Sequence, residues 1–255
     1  MLRACEAWSP ETYPGIVVRA NGQVPMLEAE RMAGAVGRLL TRFRIERSAR
    51  IRMTGGPCVD GSILIQVNLE SGATPLRVQT LMHGRGDALP VIVRLERQLR
   101  GAGRSWSPRP WPDPTRPPLD WPGPGVVARR KQVALARVEP ISAAMAMDAM
   151  DYDVHLFTDA DTGCDAIVYR ALPTGVRLFR QRCGSPPRGA AATEPHGPLI
   201  TNPRPAPVLT ERRAADRLCE FGLPFLFYSD AATGRGRLMY RRYDSGVGLI
   251  EPVAS

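Results

Sequence analysis

Lysine is almost missing from this chain of 255 residues: of its 34 basic residues only Lys131 is lysine, and the others are arginine. Cationic contacts must therefore be made by planar guanidinium forks, which suit phosphate oxygens. No apolar run approaches the 18 residues of a membrane-crossing helix. The opening MLRACEAWSP has no apolar signal core, so the expectation is a cytoplasmic protein with no membrane partner. Five cysteines, at 5, 58, 164, 183 and 219, are odd in number and form no CxxC. That argues against a disulfide framework or a zinc site and for reduced thiols.

Catalytic motifs are missing as well. The chain has no GxSxG, HExxH, GxGxxG or phosphate-cradling GxxxxGKS/T. His83, His155 and His196 lie far apart, without a matched nucleophile or carboxylate. The stretch Asp159-Ala-Asp161-Thr-Gly-Cys-Asp165 fails as a calcium loop. Its glycine comes at the fifth place, and Arg170 stands where a bidentate glutamate is required. A β-turn between strands is the better reading. No catalytic residue, metal or cofactor is expected, and the chain reads as a non-enzyme.

Proline (25) and glycine (24) are plentiful, which predicts folded pieces separated by extended linkers. The net charge of +9 is unevenly spread. Residues 1–137 carry +10, and the remainder is slightly acidic. A basic front and a near-neutral back suggest that the front meets a polyanion while the back does something else. A solvated surface with accidental asymmetry is the plain alternative.

The expected fold class is α+β. Residues 1–104 read as a β-α-β-β-β-α domain with two helices on one face of a four-stranded, mostly antiparallel sheet. The first helix follows Pro25 with an apolar stripe at Met32, Val36, Leu39, Leu40 and Phe43. The second begins near Asp87, read as its N-cap, and should bury Leu89, Ile92, Leu95 and Leu99. Residues 105–125 form a linker rich in proline and tryptophan. Residues 126–182 and 207–255 read as two small α+β repeats, joined by a second Pro/Gly-rich linker at 183–206.

The repeat is the most informative feature. Shifted by 71 residues, 138–178 aligns on 209–249 without a gap and with 11 identities, among them Asp159/Asp230, Thr162/Thr233, Gly163/Gly234, Tyr169/Tyr240 and Arg170/Arg241. A unit of about 50 residues has a small core and an apolar face left over. The leftover strands carry Val154, Leu156, Ile167 and Tyr169 in one copy and Phe225, Phe227, Leu238 and Tyr240 in the other. These eight residues are the expected repeat-pairing interface. The connector near 181–206, treated as flexible chain, spans roughly 28 Å, so pairing within one chain is expected, with a homodimer as the alternative.

In the front domain Arg31, Arg38 and Arg42 fall within about 20° of one line on the first helix. Arg94, Arg97 and Arg100 belong to the second helix, with Arg94 and Arg97 read as lying away from its Leu/Ile face. Both helices cover one sheet face, so the arginines should stand side by side as a phosphate-binding stripe. The competing view is a solvated surface with Glu28, Glu30 and Glu96 as partners.

The chain also resembles a known family. Arg130-Lys131, Pro140-Ile141-Ser142, Tyr152 to Phe157, Asp161-Thr162-Gly163 and Ile167-Val168-Tyr169-Arg170 are similar to the C-terminal domain of long ribosome hibernation promoting factors. Tyr240-Arg241-Arg242 and the ending Gly248-Leu249-Ile250-Glu251-Pro252 resemble the close of that domain. The front β-α-β-β-β-α order and Leu95 to Arg100 are similar to the family's N-terminal domain. Two tandem C-terminal copies resemble the actinobacterial dormancy-associated type. Each copy keeps what the other lacks: the first has the Arg-Lys and Pro-x-Ser opening, the second the Leu-Ile-Glu-Pro ending. The resemblance implies a factor that binds the 30S subunit and its 16S rRNA at the mRNA/tRNA path, inhibits translation, and stabilises idle 70S ribosomes. A regulator binding free RNA or DNA, or a protein that only pairs through its repeats, are the competing classes.

Overall fold

The computed structural model describes residues 7–45, 48–56, 61–71, 74–82, 87–102, 105–109, 111–113, 125–172, 175–181, 199–243 and 246–253. His83, His196 and most of both linkers lie outside them. The chain divides into two compact units. Among the described residues one unit runs from 7 to 106 and takes in 149–151; the other holds the rest, with both repeats together.

The first unit runs β1 (Ala7–Trp8), β2 (Ile16–Asn21), α1 (Met26–Arg42), β3 (Ala49–Gly55), β4 (Ile63–Ser71), β5 (Thr74–Met82) and α2 (Leu89–Gly101). The sheet has five strands in sequential order, not four, because the short β1 pairs with Arg19 and Val18 on the edge of β2. That two-residue strand is below the length at which alternation can be read. β2 and β3 are parallel, joined through α1, and the remaining pairs are antiparallel. Alternation sends Ile51, Met53, Ile65, Val67, Leu76 and Val78 to the helix-covered face. α1 meets them with Ala29, Met32, Ala33, Val36, Leu39 and Leu40.

α2 is rotated from its expected phase. Its buried stripe is Val91, Arg94, Leu95, Gln98 and Leu99, while Leu89 is exposed and Ile92 only partly covered. Two polar residues in the stripe break the apolar pattern, so counting apolar side chains selects a neighbouring face. Asp87 accepts a hydrogen bond from the Leu89 N–H at 3.1 Å, and Ala88 occupies the N-cap position.

The second unit contains β6 (Val127–Val133), β7 (Arg137–Val138), α3 (Pro140–Ala149), β8 (Val154–Asp159), β9 (Asp165–Ala171), β10 (Gly175–Arg180), β11 (Ile200–Thr201), β12 (Val208–Leu209), α4 (Glu211–Glu220), β13 (Phe225–Asp230), β14 (Gly236–Arg241) and β15 (Val247–Pro252). Each repeat contributes a short strand, a helix and a three-stranded antiparallel meander. The β8–β9 and β13–β14 turns place Gly163 and Gly234 at φ +68° and +67°, the left-handed region that glycine enters without cost.

The two five-stranded sheets are completed by exchange. β6, the opening strand of the first repeat's segment, lies parallel to β15 at the edge of the second repeat's sheet. β11, which precedes the second repeat, lies parallel to β10 at the edge of the first. Each repeat thus receives its fifth strand from the stretch of chain leading into the other.

Candidate nucleic-acid interface

The front unit keeps five of the six nominated arginines on its surface. Arg31, Arg38 and Arg42 are exposed on α1, and Arg97 and Arg100 on α2. A groove of about 430 Å³ runs between the helices, bounded by Arg38 and Arg42 on one side and Asp87, Leu89 and Ile92 on the other. Glu96 bridges the helices: it takes Arg42 at 2.6 Å and Arg100 at 2.5 Å. The Arg42 hydrogen bond, with the nearby guanidinium charges, holds the Glu96 carboxyl below the usual carboxylate range. Arg31 meets Glu28 at 3.1 Å. Arg42 and Arg100 are more than half-exposed, so their pairs with Glu96 are surface pairs that water and salt weaken and phosphate can compete for, whereas the Glu28 that holds Arg31 is itself buried.

Arg94 is the correction. Its side chain is 4% exposed, inside the stripe of α2, and donates to both carboxylate oxygens of Asp151 at 2.7 Å. The second Asp151 oxygen also accepts from the Gln79 N–H at 3.1 Å. A guanidinium so enclosed cannot reach an external phosphate, and its partner lies 57 positions away in sequence, where no local pattern can show it.

A second group of arginines was missed by helix-based reasoning. Arg19, Arg50 and Arg52 are exposed on the sheet face that the helices leave open, and Arg19 and Arg52 are register partners. The signal was in the sequence: Ala49-Arg-Ile-Arg-Met alternates arginine with buried residues.

The nominated pairing residues meet in a cluster drawn from both repeats. Leu156, Ile167, Phe227 and Leu238 are buried together, with Val154, Tyr169 and Phe225 packed around them. Tyr169 and Phe225 meet edge to face at 5.5 Å. Tyr240, the register partner of Phe225, lies on the same sheet face and covers Gly248, where a Cβ would fall 2.3 Å from its ring; Lys131 Nζ stands 5.8 Å from the ring centroid. Phe179, Leu135, Ala206 and Ile250 join the cluster without having been nominated. Phe179 meets Phe227 at 5.5 Å, from a strand whose alternation is masked by arginines. Polar contacts seal the rim: Arg235 donates to Asp165 at 2.8 Å, and the Gly236 N–H to the same oxygen at 2.8 Å. Burial lowers the His155 pKa from its ordinary value, a setting for a neutral imidazole in a strand. Among the described residues no group of three or more metal-ligating side chains occurs, and no helix is long and apolar enough to cross a membrane.

Comparison with known proteins agrees with this architecture. The family described as Sigma 54 modulation/S30EA ribosomal protein C terminus matches residues 123–178. Proteins from two strains of Mycobacterium tuberculosis, each named dormancy associated translation inhibitor, are 51% identical over 243 residues, covering 94% of this chain and 89% of theirs. With half its residues shared across almost its entire length, and with the family's C-terminal motifs present, the chain belongs to the long-form ribosome hibernation factors, of the dormancy-associated translation inhibitor type.

Proposed function

We propose that this chain inhibits translation by binding the 30S subunit along the mRNA/tRNA path, through 16S rRNA contacts made by its front unit, and that it stabilises idle 70S ribosomes. The observation that carries the reading is the row of exposed arginines on α1 and α2, with Arg38 and Arg42 lining an open groove between the helices. An rRNA surface asks for such forks against backbone phosphate and reads shape more than sequence. It needs neither a nucleophile nor a metal. The repeats serve as an internally paired module, because the connector holds them at an effective concentration near the millimolar range.

The test is ribosome pelleting at several salt concentrations with Arg31, Arg38, Arg42, Arg97 and Arg100 neutralised. Binding should weaken, and the log–log salt slope should flatten by roughly 0.7–0.9 for each rRNA phosphate that is no longer neutralised. Unchanged pelleting and unchanged inhibition in vitro would refute the site. Tighter binding to duplex DNA than to ribosomes would favour the free nucleic-acid regulator.

A further inference from the structure

The two exchanged strands occupy equivalent registers. Arg129 and Arg130 pair with Gly248 and Leu249; Ile200 and Thr201 pair with Arg177 and Leu178. The 71-residue shift that relates the repeats carries every member of the first set onto the second. Each charged position at one junction can therefore be read at the other.

At the first junction Arg130 of the incoming strand forks onto Glu211, with N–O distances of 2.7 and 2.9 Å, and reaches Glu251 at 3.3 Å. The Glu211 hydrogen bond raises the Arg130 pKa. Arg237 stands behind, 3.4 Å from Asp230 and 3.5 Å from Glu251. At the second junction the shift puts Thr201 in place of Arg130, Pro140 in place of Glu211, and Arg180 in place of Glu251. Arg180 is itself held by Asp159, the counterpart of Asp230, at 2.6 Å. The receiving edge of the second repeat is thus acidic, and that of the first presents an arginine.

Like-with-like pairing fails on these charges. A first repeat receiving another first repeat's strand would bring Arg130 toward Arg180. A second repeat receiving a second repeat's strand would set Thr201 against Glu211 and Glu251, leaving the mostly buried Glu251 without its incoming partner. Only the unlike pair brings an incoming guanidinium onto carboxylates, beyond the Arg237 that the second repeat itself sets 3.8 Å from Glu211 and 3.5 Å from Glu251. Discrimination of this kind needs both the attractive contact and the repulsive one.

We propose that Arg130, Glu211 and Glu251, set against Thr201, Pro140 and Arg180, form a pairing code by which each repeat accepts the other and rejects its own kind. The code selects the unlike partner, and the tether makes that partner the one in the same chain. A second copy of this chain is thereby excluded from joining repeat to like repeat. This inference rests on the exchange of strands and stands apart from ribosome binding.

Hydrogen exchange on the free full-length protein reads the code. Glu251→Arg sets the arginine of the first-on-first junction against Arg130 inside the intact chain, and Arg130→Thr recreates the incoming side of the second-on-second. Each should lower protection of the amides of residues 127–133 about tenfold or more, while the amides of residues 65–67 in the front sheet keep theirs. The exchanged set Arg130→Glu with Glu211→Arg and Glu251→Arg should recover most of the loss. Wild-type protection of 127–133 in Glu251→Arg would overturn the proposal. So would failure of the exchanged set to recover in a protein whose front sheet stays protected. A protein that obeys the code yet does not pellet with ribosomes would refute the functional reading alone.

Discussion

Arg94 and Glu96 sit two positions apart on one helix and play opposite parts. Arg94 is sealed against Asp151, and removing one member of a buried ion pair leaves the other charge uncompensated. Arg94→Met should therefore cost about 3–5 kcal/mol in a denaturant titration, while the folded fraction pellets with ribosomes as wild type does. A loss of ribosome affinity at unchanged stability would return Arg94 to the RNA-binding set. Glu96 lies at the surface between Arg42 and Arg100. Its pKa is lowered, so its ion pairs are intact above the ordinary glutamate range and are lost only as pH falls through the depressed value. At neutral pH Glu96 thus competes with phosphate for two arginines. Glu96→Gln should tighten ribosome binding severalfold at low salt and steepen its salt dependence, measured by the same pelleting titration. Weaker binding would mean that the bridge orients the arginines for RNA and does not restrain them.

At the level of the elements, what could be read from the sequence depended on whether burial and apolarity coincide. α1 was legible because its covered face is almost wholly apolar, from Ala29 to Leu40. α2 was legible as a helix but not in phase, since Arg94 and Gln98 occupy its core stripe. The meanders were legible from their 71-residue correspondence, and the apolar pairing residues from their alternation. The destination of β6 was not: parallel pairing between residues more than a hundred positions apart leaves no local period. Arg130-Lys131 and Leu249-Ile250-Glu251 both stand out as motifs in the sequence, yet only the sheet makes them register neighbours. A tight element contact supports a further prediction. A Cβ at Gly37, inside α1, would lie 2.5 Å from the Tyr13 ring. Alanine is the better helix former by about 1 kcal/mol, but the ring must move to admit it. Gly37→Ala should be net destabilising by about 1–3 kcal/mol, as overpacking of a filled site is. A raised thermal midpoint would show that Tyr13 yields freely.

For the whole molecule, the expected oligomeric state follows from the apolar layer shared by the repeats. Leu156, Ile167, Phe227 and Leu238 are all 5% exposed or less within a single chain. A second copy would have to open that layer before gaining anything from its own. Light scattering should give a monomer whose mass does not change with concentration, and sucrose gradients of loaded ribosomes should show 70S particles without a ribosome-dimer peak. A concentration-independent dimer together with such a peak would mean that the repeats pair between chains.

The strand exchange also imposes an order on biosynthesis. The last strand of the front sheet and the helix after it are complete by Gly101, so the sheet and its two helices can pack early, with Arg94 still waiting for Asp151. β6 is made soon afterwards but pairs with Val247–Pro252, about 120 residues later. At 5–20 residues per second, the strand waits roughly 6–24 s for its partner to be made. During that interval a nascent molecule carries a finished arginine surface and an unfinished pair of repeats. The segment that closes the last sheet is made long after the strand it must receive.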